Sequence, residues 1–328
     1  PILLCLIITG NNRGALLHAQ GDLDGAHAAY LEALALDPDD ATTLNNLGFL
    51  LTQTGDLANG IAHYRRALEI DPERANTYAN LGGALALSGS LDDAFAALNT
   101  AIQLDRDCFT AWDTLAQCCL TVNQYADAES TTREAIRLQP GNANLYTRLG
   151  TVIALQRRLN DAIPCFQKAV SLDPNEARAW SQWGVIAFMR QDYGTATDLL
   201  VHALDIAPRD VEARYHLALI GVARGDRDGA AELLADVVAL DPGFLDARVD
   251  LAVVLLANGQ TTEARAYITE ALAQDGNNPR VQYYYAAALA QDNDLRLAVP
   301  IMETLARGDV NNKYTGLAQA FLGQEAAS

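Results

Sequence analysis

The prolines of this chain fall on a grid with a spacing of 34 residues. Six of them lie on it, namely Pro38, Pro72, Pro140, Pro174, Pro208 and Pro242. The grid continues through Arg106, Gly276 and Val310 without an inserted or missing residue. A period of that length is typical of helical hairpins stacked in a row, because each hairpin buries its apolar face on its neighbours. The sequence therefore predicts an all-α repeat protein.

Nine repeats can be placed on this grid, each numbered from position 1 to position 34. They span residues 7–40, 41–74, 75–108, 109–142, 143–176, 177–210, 211–244, 245–278 and 279–312. Residues 1–6 are then an apolar N-terminal segment without an assigned role. Residues 313–328 are predicted to form a capping helix and a tail, because the last repeat would otherwise expose its apolar face.

When the repeats are aligned, some positions hold a small residue in every repeat and others hold a large one. Each such set of equivalent residues is called a column. Positions 8 and 20 are small in every repeat, as at Gly48 and Gly60, and position 24 is large and apolar except at Thr132. Two helices cross closely only where neither carries bulk, so these columns predict the contact between helix A and helix B of each hairpin. Position 4 is aromatic from Tyr78 to Trp180, and this stripe is predicted to be core.

The turn between the two helices is predicted at position 15. This position is glycine or asparagine in seven repeats, and the exceptions are Arg157 and Gln191. Glycine and asparagine tolerate the left-handed conformation that ends a helix. Pairs such as Asp71-Pro72 at positions 31 and 32 then end helix B, because proline cannot continue the hydrogen-bond ladder.

These columns resemble the tetratricopeptide repeat. The resemblance is carried in the second repeat by Leu44, Leu47, Gly48, Leu51, Gly60, Tyr64, Ala67 and Pro72, and in the sixth by Trp180, Trp183, Gly184, Ala196, Ala203 and Pro208. It extends from residue 7 to about residue 312. It implies a right-handed α-solenoid superhelix of stacked antiparallel helix–turn–helix hairpins, in which helix A lines a concave groove. It also implies a role in holding peptides or other proteins.

No motif of catalysis or metal binding is found in the sequence. The five histidines are spread over four repeats at different positions, and there is no HExxH, Walker or GxSxG motif. Most acidic residues recur at helix starts and in loops, where they cap helices and favour solubility. We therefore expect a protein that is not an enzyme and that binds neither a cofactor nor a metal.

Charge and cysteine content restrict the partners and the compartment. The net charge is −18, from 41 acidic and 23 basic residues, which argues against nucleic acid or an anionic membrane as a partner. The five cysteines lack disulfide-framework or zinc spacing, so we expect reduced thiols and a cytoplasmic protein. The apolar residues 1–9 fit two alternatives, an edge that packs on the first hairpin or the remnant of a signal or anchor. The second would make the protein periplasmic or membrane-tethered, with the anchor as its only membrane contact.

The predicted groove changes in character along the chain. Its early repeats supply asparagines, whose amides each offer one acceptor and two donors and can grip a peptide backbone. Its later repeats are apolar and aromatic, as is typical of partner sites. Arginines at position 2, such as Arg178 and Arg280, either select an acidic partner or pair with the acid at position 2 of a neighbouring repeat. The candidate partner-binding residues are Asn12, Asn45, Asn46, Asn76, Asn80, Arg178, Val185, Phe188, Tyr215, Leu219 and Tyr283.

Three functions are compatible with these features. The leading hypothesis is a non-catalytic scaffold that binds a protein or peptide of unknown identity in the groove. The second is the recognition arm of a larger enzyme, because Asn12, Asn46 and Asn80 share position 6 and resemble the inner asparagine ladder of O-GlcNAc transferase repeats. The third is an assembly factor for a membrane or envelope complex, tethered through the residues before Gly10. Self-association through the apolar ends of the array is compatible with all three.

Overall fold

The computed structural model describes the backbone of residues 2–325 and the side chains of residues 10–324. Over that backbone the chain forms nineteen α-helices and no strand. They are α1 (Ile2–Ala19), α2 (Leu23–Leu36), α3 (Ala41–Gln53), α4 (Leu57–Ile70), α5 (Ala75–Leu87), α6 (Leu91–Leu104), α7 (Phe109–Thr121), α8 (Tyr125–Leu138), α9 (Ala143–Leu155), α10 (Leu159–Leu172), α11 (Ala177–Met189), α12 (Tyr193–Ile206), α13 (Val211–Arg224), α14 (Arg227–Leu240), α15 (Leu245–Ala257), α16 (Thr261–Gln274), α17 (Pro279–Gln291), α18 (Leu295–Ala306) and α19 (Lys313–Glu325).

The helices belong to two compact units. The N-terminal unit holds α1 to α10 and ends at Asp173, and the C-terminal unit begins at Pro174 and holds α11 to α19. In each unit an odd-numbered helix A packs on the even-numbered helix B that follows it, as α3 does on α4 and α11 on α12. Helix B then packs on helix A of the next repeat, as α4 does on α5. The predicted all-α fold of stacked helical hairpins is confirmed.

The N-terminal apolar segment is only partly described. Ile2–Thr9 form the first turns of α1, but the side chains of residues 1–9 lie outside the described part. The two alternatives for this segment therefore stay predictions. None of the described helices has the length and apolar character of a membrane span.

Positions 8 and 24 of the repeat are complementary in size. A methyl group added to Gly150 would lie 2.8 Å from the ring of Phe166. A methyl group on Gly82 would lie 2.6 Å from Cγ of Leu98, and both of these large side chains are fully buried. The glycines thus make room for a bulky residue of the partner helix, which is the contact that the sequence columns predict.

All nine residues at position 15 adopt the left-handed conformation. Their φ angles are positive at Gly21, Gly55, Gly89, Asn123, Arg157, Gln191, Gly225, Gly259 and Asn293. Arg157 and Gln191, which interrupt the sequence pattern, have φ values of 65° and 61°. The packing of the two helices therefore imposes this backbone geometry even on side chains that disfavour it.

Replacing Arg157 with glycine should stabilise the N-terminal unit. A left-handed conformation costs an L-residue about 1–2 kcal/mol, and glycine avoids that cost while losing more chain entropy on folding, so we expect a net gain of about 1 kcal/mol. Urea denaturation followed by circular dichroism measures it. Arg158→Gly is the matched control, because Arg158 has φ −92° and its guanidinium pairs with Glu129 at 2.8 Å. A variant at position 157 no more stable than the parent would contradict the prediction.

The side chain at position 4 of the repeat donates a hydrogen bond to the loop that precedes helix A. Nε1 of Trp112 donates to the carbonyl oxygen of Arg106 at 2.9 Å, and Nη2 of Arg214 donates to that of Pro208 at 2.8 Å. Each acceptor is at position 32 of the preceding repeat. The same bond is made by Tyr146, Trp180 and Gln282. The prediction of a core stripe was incomplete, because these side chains are half-buried donors, and that is why arginine and glutamine can replace the aromatic residues.

Candidate functional site

The helix-A face of the N-terminal unit is formed by α1, α3, α5 and α7. Neighbouring A helices pack directly on one another, α1 on α3, α3 on α5 and α5 on α7. Among the helices that the structure describes, no B helix makes a comparable contact with the next B helix. The stack is therefore tighter on the A side, and the A helices line the inner side of this unit.

Asparagine side chains connect the A helices on this face. Nδ2 of Asn46 donates to Oδ1 of Asn11 at 2.9 Å, and Nδ2 of Asn80 donates to Oδ1 of Asn45 at 3.1 Å. Nδ2 of Asn45 also donates to Oδ1 of Asn46 at 3.3 Å, which joins the four amides into one chain across α1, α3 and α5. These bonds occupy one N–H of each donor amide, and each amide carries a second one.

The amide chain contains only some of the predicted asparagines. Asn45, Asn46 and Asn80 belong to it, and it also includes Asn11, which the list of candidate residues omits. Asn12 is exposed on α1, and Asn76 is exposed near the start of α5, where its Oδ1 accepts from the Cys108 thiol at 3.4 Å. The two bonds between neighbouring A helices join position 5 of one repeat to position 6 of the next. The same pairing recurs between Asp113 and Arg148 and between Tyr215 and Asp250.

Two adjoining depressions lie on this face and share Phe49. The larger has a volume of about 380 Å³ between α3, α5 and α7, and Leu87, 69% exposed, lies at its edge. The smaller has a volume of about 360 Å³, lies between α1 and α3, and is lined by His18 and Asn46 among others. A methyl group on Gly83 would meet only Cγ2 of Thr114, at 3.9 Å, so the main chain of α5 is accessible from the larger depression.

Neither depression is lined by an acidic side chain, and His18 of the smaller one is the only basic side chain among the described residues that line them. Among the described residues that line either of them there is no aspartate, glutamate, lysine or arginine. Polar lining is supplied by amides and hydroxyls, such as those of Asn80, Thr114 and Gln117. The two depressions therefore differ from the rest of a chain whose net charge is −18.

Tyr64 places a buried hydroxyl beside the larger depression. Its side chain, including the hydroxyl, is fully buried, and the hydroxyl faces the side chain of Thr52. The hydroxyl of Thr52, which also lines the depression, donates to the carbonyl oxygen of Gly48 at 2.9 Å. Burial raises the pKa of Tyr64 to about 12, so the hydroxyl keeps its proton at neutral pH. The prediction that Tyr64 belongs to the core is confirmed, because its hydroxyl is buried together with its ring.

The helix-A face of the C-terminal unit is formed by α11, α13, α15 and α17, and aromatic side chains cover much of it. Phe188 and Tyr215 each contact the ring of His216, at centroid distances of 5.3 Å and 5.5 Å. Tyr283 packs on Tyr284 and on Tyr314 of α19, at 5.2 Å and 5.7 Å. The predicted apolar residues Val185, Phe188, Tyr215, Leu219 and Tyr283 are all half-buried. The fold itself thus uses much of the surface that the sequence assigns to a partner.

An ion-pair network crosses the same face. The hydroxyl of Tyr215 donates to Asp250 at 2.8 Å, and Arg280 forms ion pairs with Asp250 and, at 2.6 Å, with Asp246. Burial raises the pKa of Asp250, and the charge of Arg280 offsets part of that rise. The pair between Arg280 and Asp246 confirms, for Arg280, pairing with an acid of the neighbouring repeat.

Arg178 does not share this arrangement. It has the same repeat position on α11 and is exposed. The acid at that position in the next repeat, Glu212, accepts a hydrogen bond from Gln182 at 2.8 Å.

The described thiols are suited to packing. Cys108, Cys118 and Cys119 are free and buried. Burial raises the pKa of each, that of Cys119 to about 11, so all three are protonated at neutral pH and weakly nucleophilic. In the part of the chain with described side chains, no cluster of three or more histidine, cysteine or acidic residues is arranged to hold a metal ion.

Comparison with known families agrees with the fold and the repeat. The family model described as the cilia and flagella-associated protein 70 C-terminal domain matches residues 40–242, more than half of the chain. Tetratricopeptide repeat models match residues 14–55, 221–283 and 255–320. The chain belongs to the tetratricopeptide repeat family. No curated protein matches its sequence.

Solved structures show the same fold. A chain of the Cut9–Hcn1 hetero-tetramer of the APC/C is 19% identical with a TM-score of 0.63, over 81% of this chain and 52% of that one. This chain thus spans about half the length of that protein. Pseudomonas aeruginosa PilF is 19% identical with a TM-score of 0.60, over 67% of this chain and 98% of its own. PilW, a type IV pilus biogenesis factor, is 19% identical with a TM-score of 0.57, over 63% and 96%.

Proposed function

We propose that this chain is a non-catalytic scaffold that binds a segment of another protein on the helix-A face of its N-terminal unit. The observation that carries the proposal is the pair of depressions that share Phe49, beside a chain of amides with unused N–H groups. Exposed apolar side chains within a depression are typical of partner sites. The amides hold one another in fixed orientations, so they are preorganised to meet peptide groups.

Membership of the tetratricopeptide repeat family supports a protein or peptide as the partner. The described cysteines are free thiols, as is typical of a reducing compartment, and the cytoplasm is our proposed location.

Photo-crosslinking at Leu87 tests the location of the site. Benzoylphenylalanine at position 87 should form covalent products with partner proteins in cells of the source organism, because this side chain is exposed at the edge of the larger depression. The same group at Leu104, which is 43% exposed at the end of α6 and lies outside both depressions, is the control. Products are identified by mass spectrometry. The proposal fails if position 104 gives the same products or position 87 gives none.

A further inference from the structure

We infer that the segment bound on this face is extended and uncharged, and that it places apolar side chains on either side of Phe49. The inference rests on the proposed function and adds the chemistry of the partner. Three features of the two depressions support it, namely their lack of charge, their unused donors and their apolar surface.

The lack of charge excludes ionised side chains from the bound stretch. A carboxylate or an ammonium group that enters the larger depression loses water, and no lining residue provides the opposite charge. In the smaller depression the imidazole of His18 is the one basic side chain of the lining, and no acidic side chain lines it. Asp113 and Arg148 form the next contact between position 5 of one repeat and position 6 of the next. Their charges neutralise each other, because Nη1 of Arg148 lies 2.5 Å from Oδ1 of Asp113. Charged partners are therefore disfavoured on a chain that is otherwise strongly acidic.

The unused donors suit the carbonyl groups of an extended main chain. Asn46 lines the smaller depression and Asn80 the larger, and each carries an N–H beyond the one in the amide chain. A neutral carbonyl oxygen satisfies such a donor without bringing a charge into the depression. The accessible main chain at Gly83 lets a bound segment approach α5 closely.

The apolar lining of the depressions favours apolar side chains in the bound segment. Phe49 is 48% exposed and belongs to both depressions, and Leu87 extends the apolar area of the larger one. Volumes of about 380 Å³ and 360 Å³ are at the low end for ligand sites, which fits individual side chains better than a folded domain.

Selection from a library of random 12-residue peptides on the full chain tests this chemistry. The enriched peptides should lack Asp, Glu, Lys and Arg over a central stretch and should carry large apolar residues there. Their affinities are measured by fluorescence anisotropy with acetylated, amidated peptides. Asn80→Ala should weaken binding about 5-fold, the value of one hydrogen bond, because Asn80 lines the larger depression. Gln117→Lys, at an exposed lining residue, should shift the selection towards acidic peptides.

Binding of the selected peptides to a Leu87→Asp variant distinguishes a failure of the inference from a failure of the proposed function. Charged peptides whose binding is lost in Leu87→Asp would overturn the inference and leave the proposed function standing. A dimer of the chain itself that Leu87→Asp dissociates in sedimentation analysis would also overturn the inference. Peptides that bind Leu87→Asp as well as the parent, or no enrichment at all, would overturn the proposed function and the inference together.

Discussion

Alanine at Gly82 should destabilise the N-terminal unit, whereas alanine at the adjacent Gly83 should stabilise it. The Cβ atom at position 82 would lie 2.6 Å from Cγ of Leu98, which is fully buried and cannot move without disturbing the core. Overpacking of this kind costs about 1–3 kcal/mol. The better helix propensity of alanine returns less than about 1 kcal/mol, so we expect a net loss of about 1–2 kcal/mol.

At Gly83 the same methyl group meets no obstacle. Its only neighbour within 4 Å would be Cγ2 of Thr114, at 3.9 Å. The helix propensity of alanine then acts alone, and a gain of about 0.5–1 kcal/mol is expected. Urea denaturation of both variants measures the two effects, and the two glycines serve as each other's control because they share one helix. Changes of the same sign at both positions would show that packing at position 8 does not decide the stability of the hairpin.

The hairpin contact could be predicted from the sequence because it repeats. Small residues at position 8 and large ones at position 24 recur in every repeat but that of Thr132, so the columns report a contact made within each hairpin. The left-handed conformation at position 15 could be predicted for glycine and asparagine but not for Arg157 and Gln191. Arg157 and Gln191 have the conformation of glycine only because the helices on either side hold it, and a side-chain pattern does not show that.

The candidate site was predicted in part. Asparagines were expected on the inner face, but the bonds run from position 5 of one repeat to position 6 of the next, as from Asn45 to Asn80. That offset depends on how neighbouring helices are staggered, which a single column cannot reveal. The role of Gly83 depends on local packing, since this glycine faces free space. The recognition-arm and assembly-factor hypotheses stay predictions.

Removal of Arg280 should destabilise the C-terminal unit, because it leaves Asp250 without its ionic partner. The two side chains are 25% and 19% exposed, and the hydroxyl of Tyr215 is then the remaining partner of the carboxylate. Breaking a fully buried pair costs about 3–5 kcal/mol, and partial exposure reduces the expected loss for Arg280→Ala to about 2–3 kcal/mol at pH 7. Asp246→Ala is the matched control. Its carboxylate is 64% exposed, so the loss should be below about 1 kcal/mol.

The loss in Arg280→Ala should depend on pH with a definite sign. Burial already raises the pKa of Asp250 in the parent protein, and removal of the positive charge raises it further. A carboxyl group whose pKa is higher in the folded than in the unfolded state favours folding while it is protonated. That contribution is lost as the pH rises through the folded pKa. The variant should therefore be closest to the parent near pH 4 and fall behind as the pH approaches 7.

A second substitution isolates the charge of Asp250 as the cause. Asp250→Asn in the Arg280→Ala background removes the unpaired carboxylate and keeps a group that accepts the hydrogen bond of Tyr215. We expect it to recover most of the stability at pH 7 and to remove the pH dependence of the difference from the parent. Urea denaturation at pH 4 and pH 7 measures both effects. If the double variant is as unstable as Arg280→Ala alone, the loss arises from the packing of the arginine side chain, and the ionic role assigned to this pair is wrong.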